Sequence, residues 1–285
     1  MKIVVVGANG QLGNCLQELA TFRKDIDFVF LSNTDLDITD EAAVSALMNQ
    51  HKPNAIINAA AYTAVDKAES DEQAAYDVNA KAVGYLSKAC AKLGCRLVHV
   101  STDYVFDGNA SSPYKEDDTP NPQGVYGATK LEGEILALQN NPDSVVVRTS
   151  WVYSIYGHNF VKTMMRLMKE RDNLNVVQDQ VGCPTHAIDL AKALLSIATS
   201  ENSHPGIYHF SNSGPISWYQ FADAIREIGG FSTVVSPINS DQYPTPAKRP
   251  AWSVLSNEKI AAVYGIAQED WRKSLQTCID QLMNQ

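Results

Sequence analysis

Short β-branched runs alternate along the first half of the chain with longer stretches whose apolar residues recur at helical spacing. Lys2–Val6, Asp27–Leu31, Ala55–Ala59, Arg96–Ser101 and Ser144–Thr149 predict strands, near-continuously apolar as strands covered on both faces are. Between them, Gln11–Phe22 predicts a helix, as does Asp40–Gln50, with Thr39 as its cap and Pro53 beyond its end. Asp71–Leu93 predicts one long helix closed by Gly94, and Val125–Leu138 another after a loop, 107–124, rich in Pro, Gly and Asp. Strands alternating with helices in this way predict βαβ units, hence an α/β fold with a doubly wound, Rossmann-type parallel sheet.

After about residue 150 the alternation weakens. Helical patterns at Phe160–Lys169, Ala187–Thr199, Trp218–Ile228 and Glu269–Met283 are separated by short extended pieces and prolines. The expected organisation is a dinucleotide-binding domain over 1–150 and a smaller mixed α/β substrate lobe over 151–285, with room for segments of the latter to return to the main sheet.

Composition narrows the function. With 285 residues, 45% hydrophobic and 19% charged, the chain can bury a sizeable core without disulfides or metals. Its 23 basic and 32 acidic residues give a net charge of −9, which argues against a nucleic-acid-binding face. An anionic ligand would therefore depend on local backbone N–H groups and a few placed cations. No apolar run approaches the roughly 18–20 residues needed to span a bilayer. The five cysteines form no C-x-x-C pair, and neither a disulfide framework nor a zinc site is expected. A strand starts directly after Met1, without a signal-peptide pattern. Together these features predict a cytoplasmic protein.

The turn after the first strand reads Gly7-Ala8-Asn9-Gly10-Gln11-Leu12-Gly13. Glycines between a strand and a helix permit a tight turn, close approach of a pyrophosphate and close helix–strand packing, and the helix N-terminus then faces the phosphates. The spacing G-x-x-G-x-x-G resembles that of the short-chain dehydrogenases and reductases. At the end of the second strand, where an acidic residue commonly takes the ribose 2′-hydroxyl, the chain has Ser32-Asn33. Both can donate to a 2′-phosphate, so NADPH is expected to be accepted, with NADH also open.

Tyr126 and Lys130 stand four residues apart, on one face of a helix. A phenol of ordinary pKa near 10 is a poor acid at neutrality, and a neighbouring cation stabilises the phenolate. Such a pair also arises by chance, so context decides. It opens the helix after a loop, and Ser101-Thr102-Asp103-Tyr104 ends the fourth strand, where doubly wound sheets bind ligands. Thr102, Tyr126 and Lys130 thus form a candidate carbonyl-reducing triad. Asn79 can orient the lysine through a water or simply bond the local backbone. Ala59, Ala60 and Ala61 are small enough to let a nicotinamide pass. His99 and His209 fall in apolar strands and read as core, whereas His51, His158, His186 and His204 read as surface or cap residues.

These residues, with Leu36–Asp40, Asn58–Glu69, Ser101–Gly108, Arg148–Tyr153, Gly157–Val161, Asp179–Thr185 and Pro246–Pro250, resemble the dTDP-4-dehydrorhamnose reductases, extended short-chain reductases of nucleotide-sugar metabolism. The resemblance runs through almost the whole chain. It implies reduction of the C4 ketone of dTDP-4-dehydro-L-rhamnose to dTDP-L-rhamnose for surface polysaccharide. It further implies pyrophosphate binding by Gly10, Gln11 and Leu12, adenine contacts from Asp37 and Ile38 and nicotinamide-side contacts from Ala60, Ala61 and Tyr62, which with Gly7, Gly13 and Ser32 read above and with Tyr126 and Lys130 make the expected cofactor site. The sugar site it implies contains Thr102, Asp103, Tyr104 and Trp151, with Arg249 as the cation for the diphosphate. Some members are thought to dimerise through magnesium held by glutamates; Cys15 and Ile188 stand near such positions here and are poor ligands for a hard cation. No metal requirement and a monomer or weak homodimer are the expectation. Two alternatives stay open: another nucleotide-sugar reductase or epimerase, and a non-catalytic regulatory subunit resembling that of methionine adenosyltransferase. An intact triad disfavours the second.

Overall fold

The computed structural model describes residues 1–284. The chain begins with β1 (Lys2–Val6), α1 (Gln11–Ala20), β2 (Asp27–Leu31), α2 (Glu41–His51) and β3 (Ala55–Asn58). Two short helices follow, α3 (Val65–Ala68) and α4 (Glu72–Tyr76), then a single π-helical turn (Asp77–Lys81) and α5 (Ala82–Leu93). β4 (Arg96–Thr102), α6 (Val125–Asn140) and β5 (Val145–Thr149) complete the first half. The second half contains β6 (Val152–Tyr153), α7 (Phe160–Glu170), β7 (Asn173–Val177), β8 (Val181–Gly182), β9 (Thr185–His186), α8 (Ala187–Thr199) and β10 (Gly206–His209). It closes with β11 (Ile216–Ser217), α9 (Trp218–Gly229), β12 (Val234–Ile238), α10 (Glu258–Tyr264) and α11 (Trp271–Met283).

Six parallel strands in the order β2-β1-β3-β4-β5-β10 form the main sheet. Alternate strand residues feed two separate cores. Ile3, Val5, Ile57, Val98 and Val147 face Leu16, Leu190 and Leu194 on one side, while Val4, Val6, Ile56, Leu97 and Val146 face Val44, Met48, Val83 and Leu86 on the other. The chain passes from β1 to β2 on one side and then returns to β3 on the other, so the sheet changes winding direction between β1 and β3. Ligands of such sheets bind outside the carboxyl ends of the strands at that point. There Val6 is paired with Asn58, and a Cβ on Gly7 would lie 2.6 Å from Ala60 N.

The smaller body has its own core, in which Met164, Met165 and Met168 pack with Phe221, Ile225, Leu275 and Ile279. The chain does not change over once at residue 150. α8 lies against α1 and the sheet, and β10 pairs with β5 as the outermost strand.

Three local expectations are corrected. α2 is capped by Asp40, whose carboxylate accepts from Ala42 N and Ala43 N, and not by Thr39, whose hydroxyl and N–H both donate to Asp37. The helix expected over 71–93 is interrupted by the π turn, which turns Asn79 inward to clamp the backbone of Tyr62. α11 starts at Trp271 and not at Glu269 because Asp270 caps it.

α6 is fastened to the sheet by a buried ion pair. Arg148 on β5 donates from Nε to Glu134 Oε1 at 2.9 Å and from Nη2 to Oε2 at 2.7 Å, with both side chains 1% exposed. Ser101 Oγ donates to the same carboxylate, and the guanidinium lies 5.0 Å from the Phe106 ring centre. Removing one partner leaves the other charge buried and unpaired, which costs about 3–5 kcal/mol. Glu134→Ala should lower unfolding stability in urea by that amount; a loss under about 1 kcal/mol would show that Arg148 finds water or another partner.

Candidate active site

The cleft at the β1/β3 switch encloses about 490 Å³ and is lined by Gly7, Gly10, Ser32, Asp37, Ile38, Ala60 and Ala61, together with Asn9, Asn33 and Ala59. Seven of the residues expected to hold a dinucleotide therefore share one cavity. α1 opens toward it with Gly10 at its N-cap, no side-chain cap and no acidic residue in its first turn, leaving N–H groups and the positive end of the helix for an anion. The absence of Cβ atoms at Gly7 and Gly10 and the small alanines opposite fit a phosphate-bearing dinucleotide.

The side chains of three further expected residues, and the packing position of Gly13, lie outside it. The Gln11 side chain accepts from Asn159 Nδ2 at 2.9 Å and Ser154 Oγ at 3.2 Å, which ties α1 to the smaller body. Leu12 is in the core, and only its backbone N–H could meet a ligand. Gly13 is a packing residue, since a Cβ there would lie 2.3 Å from Gly7 O. The Tyr62 hydroxyl donates to Asp71 at 2.9 Å.

The end of β2 corrects the sequence-based picture of an uncharged ribose site. Asp35 Oδ2 accepts from Ser32 Oγ at 2.6 Å and from Ser32 N at 2.8 Å, and these hydrogen bonds hold its carboxyl below the ordinary range. A carboxylate therefore stands beside Ser32 after all. The spacing of a serine and an aspartate three apart was the available signal.

At the carboxyl end of β4 lie Thr102, Asp103 and Tyr104. The first turn of α6 brings Tyr126 against them, its ring centre 5.5 Å from that of Tyr104 in an edge-on arrangement. This approach requires glycine at 127, where a Cβ would lie 2.2 Å from Tyr104 O. Burial pushes the Tyr126 phenol up, with the Thr102 hydroxyl beside it acting the other way. Thr102 Oγ1 donates to Asp103 Oδ1 at 3.0 Å and accepts from Tyr104 N at 3.2 Å. Asp103 is 2% exposed, and its second oxygen has no protein partner; burial raises its carboxyl to about 6.

Lys130 lies one helical turn beyond Tyr126, 2% exposed. Its Nζ donates to Val100 O at 2.6 Å and stands 3.4 Å from His99 Nε2, and burial lowers its pKa to about 8. Asn79 bonds Tyr62 and Thr129, not Lys130. The backbone it bonds is that of Tyr62, 17 residues away, and not that of its own helix.

Arg249 reaches the same region from the C-terminal part of the chain. Its Nη1 donates to the Tyr104 hydroxyl at 2.9 Å and its Nη2 to Asp66 at 2.8 Å. A narrow cleft between Gly124 and Lys248–Pro250 lies alongside. Trp151 sits two residues past β5 with φ of +49°, stacked on Trp218 with ring centres 3.5 Å apart and closely packed on Gly182. A tryptophan in the left-handed region is strained, and such strain collects at functional sites. His186, expected at the surface or as a cap, stands at the α8 N-cap but is buried and stacked on Tyr153. Among the described residues, no group of three or more His, Cys, Asp or Glu could hold a metal ion, and no helix is long and apolar enough to cross a membrane. Cys15 and Ile188 line one cavity with Glu18, and burial raises the Cys15 thiol to about 12.

The family model described as the RmlD substrate binding domain matches residues 1–284. A curated dTDP-4-dehydrorhamnose reductase of Aggregatibacter actinomycetemcomitans is 45% identical over 284 residues, covering 96% of this chain and 97% of its own. The chain belongs to the dTDP-4-dehydrorhamnose reductase family. The crystal structure of such a reductase from Clostridium acetobutylicum superposes with a TM-score of 0.96 at 44% identity, covering 99% of this chain and 100% of that one. The reductase of Bacillus anthracis, solved in complex with NADP, superposes at 0.94 with 36% identity, covering 98% and 99%. This reductase is accordingly an oxidoreductase on a Rossmann-type fold, with the Asp35 carboxylate beside Ser32 at the edge of the cleft.

Asp35→Asn keeps the shape and removes the charge. The kcat/KM ratio of NADPH to NADH should rise about twofold to fivefold, the scale of one exposed charge–charge contact. An unchanged ratio would show that the adenosine ribose is not bound over Ser32.

Proposed function

We propose that this reductase converts dTDP-4-dehydro-L-rhamnose to dTDP-L-rhamnose with NADPH, using Thr102, Tyr126 and Lys130, and that NADH is also accepted. The observation that carries this is the placement of Tyr126 and Thr102 at the carboxyl end of β4, one strand from the cleft at the β1/β3 switch. A reduced nicotinamide bound in that cleft supplies hydride to the ketone carbon. Gly7, Gly10 and the first N–H groups of α1, including those of Gln11 and Leu12, would hold its pyrophosphate, and Ser32, Asp37 and Ile38 would border its adenosine.

Tyr126 donates its proton to the ketone oxygen, and the ammonium of Lys130 one turn away stabilises the phenolate left behind. Thr102 holds the same oxygen once its single hydroxyl hydrogen turns to it from Asp103. Tyr104 and Trp151 would border the sugar, and the unpartnered Asp103 oxygen can accept from a sugar hydroxyl. Arg249 stands at the rim with Asp66 partly neutralising it, so a diphosphate would compete with that carboxylate for the guanidinium. The larger body would thus serve the dinucleotide and the smaller one the sugar nucleotide, in a protein that works as a monomer or weak homodimer in the cytoplasm.

Tyr126→Phe keeps the ring and removes the proton. Turnover of a dTDP-4-ketosugar, followed by loss of nicotinamide absorbance, should fall about 10²–10⁴-fold while NADPH still binds. Turnover within threefold of wild type would overturn the assignment. Reduction of other nucleotide 4-ketosugars in preference to the dTDP sugar would favour a different reductase.

A further inference from the structure

His99 lies within β4, completely buried, and the chemistry above gives it no part. Its Nδ1 faces Asn58 Nδ2 at 3.0 Å and its Nε2 faces Lys130 Nζ at 3.4 Å. The Asn58 amide has a fixed orientation, because its Oδ1 accepts Ala60 N–H at 3.1 Å. Turning it over would oppose two donors. Its NH₂ therefore faces His99, and Nδ1 must be the accepting nitrogen. A neutral imidazole that accepts at Nδ1 carries its hydrogen on Nε2. That N–H points at Lys130, where it suits the lone pair of an amine and opposes an ammonium. Charging the ring gives no escape, because imidazolium would also turn a donor toward Asn58, and burial beside Lys130 holds the His99 pKa well below its ordinary value.

We propose that His99, held in one tautomer by Asn58, is a positioning residue that stabilises Lys130 as the free amine and so makes its ammonium a ready proton donor to Tyr126. The proposal rests on the assignment of Tyr126 as the acid. As the ketone is reduced, a C–H bond forms from hydride and an O–H bond from the Tyr126 proton, leaving phenolate. The Lys130 ammonium returns a proton to that phenolate, directly or through a bound hydroxyl, and becomes an amine whose lone pair accepts His99 Nε2–H. Solvent water recharges the lysine. The other titratable groups around Lys130 are Tyr126 and Glu134 on α6, the latter neutralised by Arg148 on β5 at 2.7 Å; Glu134 raises the lysine pKa and burial lowers it. Asn58 on β3 carries no charge.

The test is the tautomer and the lysine titration in the full-length protein. With ¹⁵N-labelled histidine, long-range proton–nitrogen spectra should show hydrogen on His99 Nε2 and a bare Nδ1. The signal is assigned by its absence in His99→Gln or, should that variant not fold, by contacts to Val100. With ¹³Cε-labelled lysine, one lysine should titrate near pH 8, and activity should decline as pH rises through that value, since the ammonium is the donor. Asn58→Asp keeps the acceptor for Ala60 N–H but replaces the donor facing His99 with an acceptor. The ring hydrogen should then move to Nδ1, and the lysine titration should move up by about one unit, a tenfold change in proton affinity. A buried charge alone would raise the lysine without moving the ring hydrogen, and that result would overturn the proposal. So would hydrogen on Nδ1 in the wild-type protein, which decides the matter even if Asn58→Asp does not fold. Failure to reduce any nucleotide 4-ketosugar, with these spectra as expected, would refute the catalytic assignment and leave the His99–Lys130 coupling standing.

Discussion

The site depends on how closely α6 is held to β4 and β5. That helix carries Tyr126 and Lys130, while β4 and its following residues carry Thr102, Asp103 and Tyr104. Two devices bring them together: the glycine at 127, which lets the helix backbone ride against Tyr104 O, and the ion pair of Glu134 with Arg148, which anchors the helix two turns further on. An ion pair removed from water is seldom a large net source of stability. Its directional hydrogen bonds, shared with Ser101, fix the rotation and height of the helix, and with them the positions of Tyr126 and Lys130.

The same arrangement resolves the difficulty of an acidic protein that serves anionic ligands. A net charge of −9 repels phosphates at long range, and screening confines that repulsion to roughly 10 Å. Within that distance the donors are local. The first turn of α1 carries no acidic side chain, and Arg249 is delivered from far along the chain to the rim of the site. Its partnership with Asp66 keeps the guanidinium oriented. Asp35 works in the opposite sense, placing a negative charge next to Ser32.

Hydrogen-bond direction, more than the presence of particular residue types, organises the proton-bearing groups. The hydroxyl of Thr102 has one hydrogen, and Asp103 takes it. The Asn58 amide has one orientation, and Ala60 sets it. Buried groups cannot turn to water to correct a mismatch, so each fixed donor determines the next.

What the sequence determined by itself was local or periodic. The first five strands and the helices around them were legible because apolar runs and helical spacing are properties of contiguous residues, while helix ends moved by a residue or two, as where Asp40 outcompeted Thr39 as the α2 cap. The glycine turn, the Tyr126–Lys130 pair and Thr102 at a strand end were legible for the same reason, and the family resemblance extended them to residues such as Asp103 and Arg249. Tertiary structure alone decided the rest. It returned α8 to the sheet because its apolar stripe covers the face beside α1, and β10 because β5 leaves an open edge. It set His99 against Asn58 by the register of β3 on β4, 41 residues apart in the chain, and it joined Arg249 to Asp66 and Tyr104 across still longer separations. Contacts of this kind follow from the summed packing of many elements, and no local pattern encodes them.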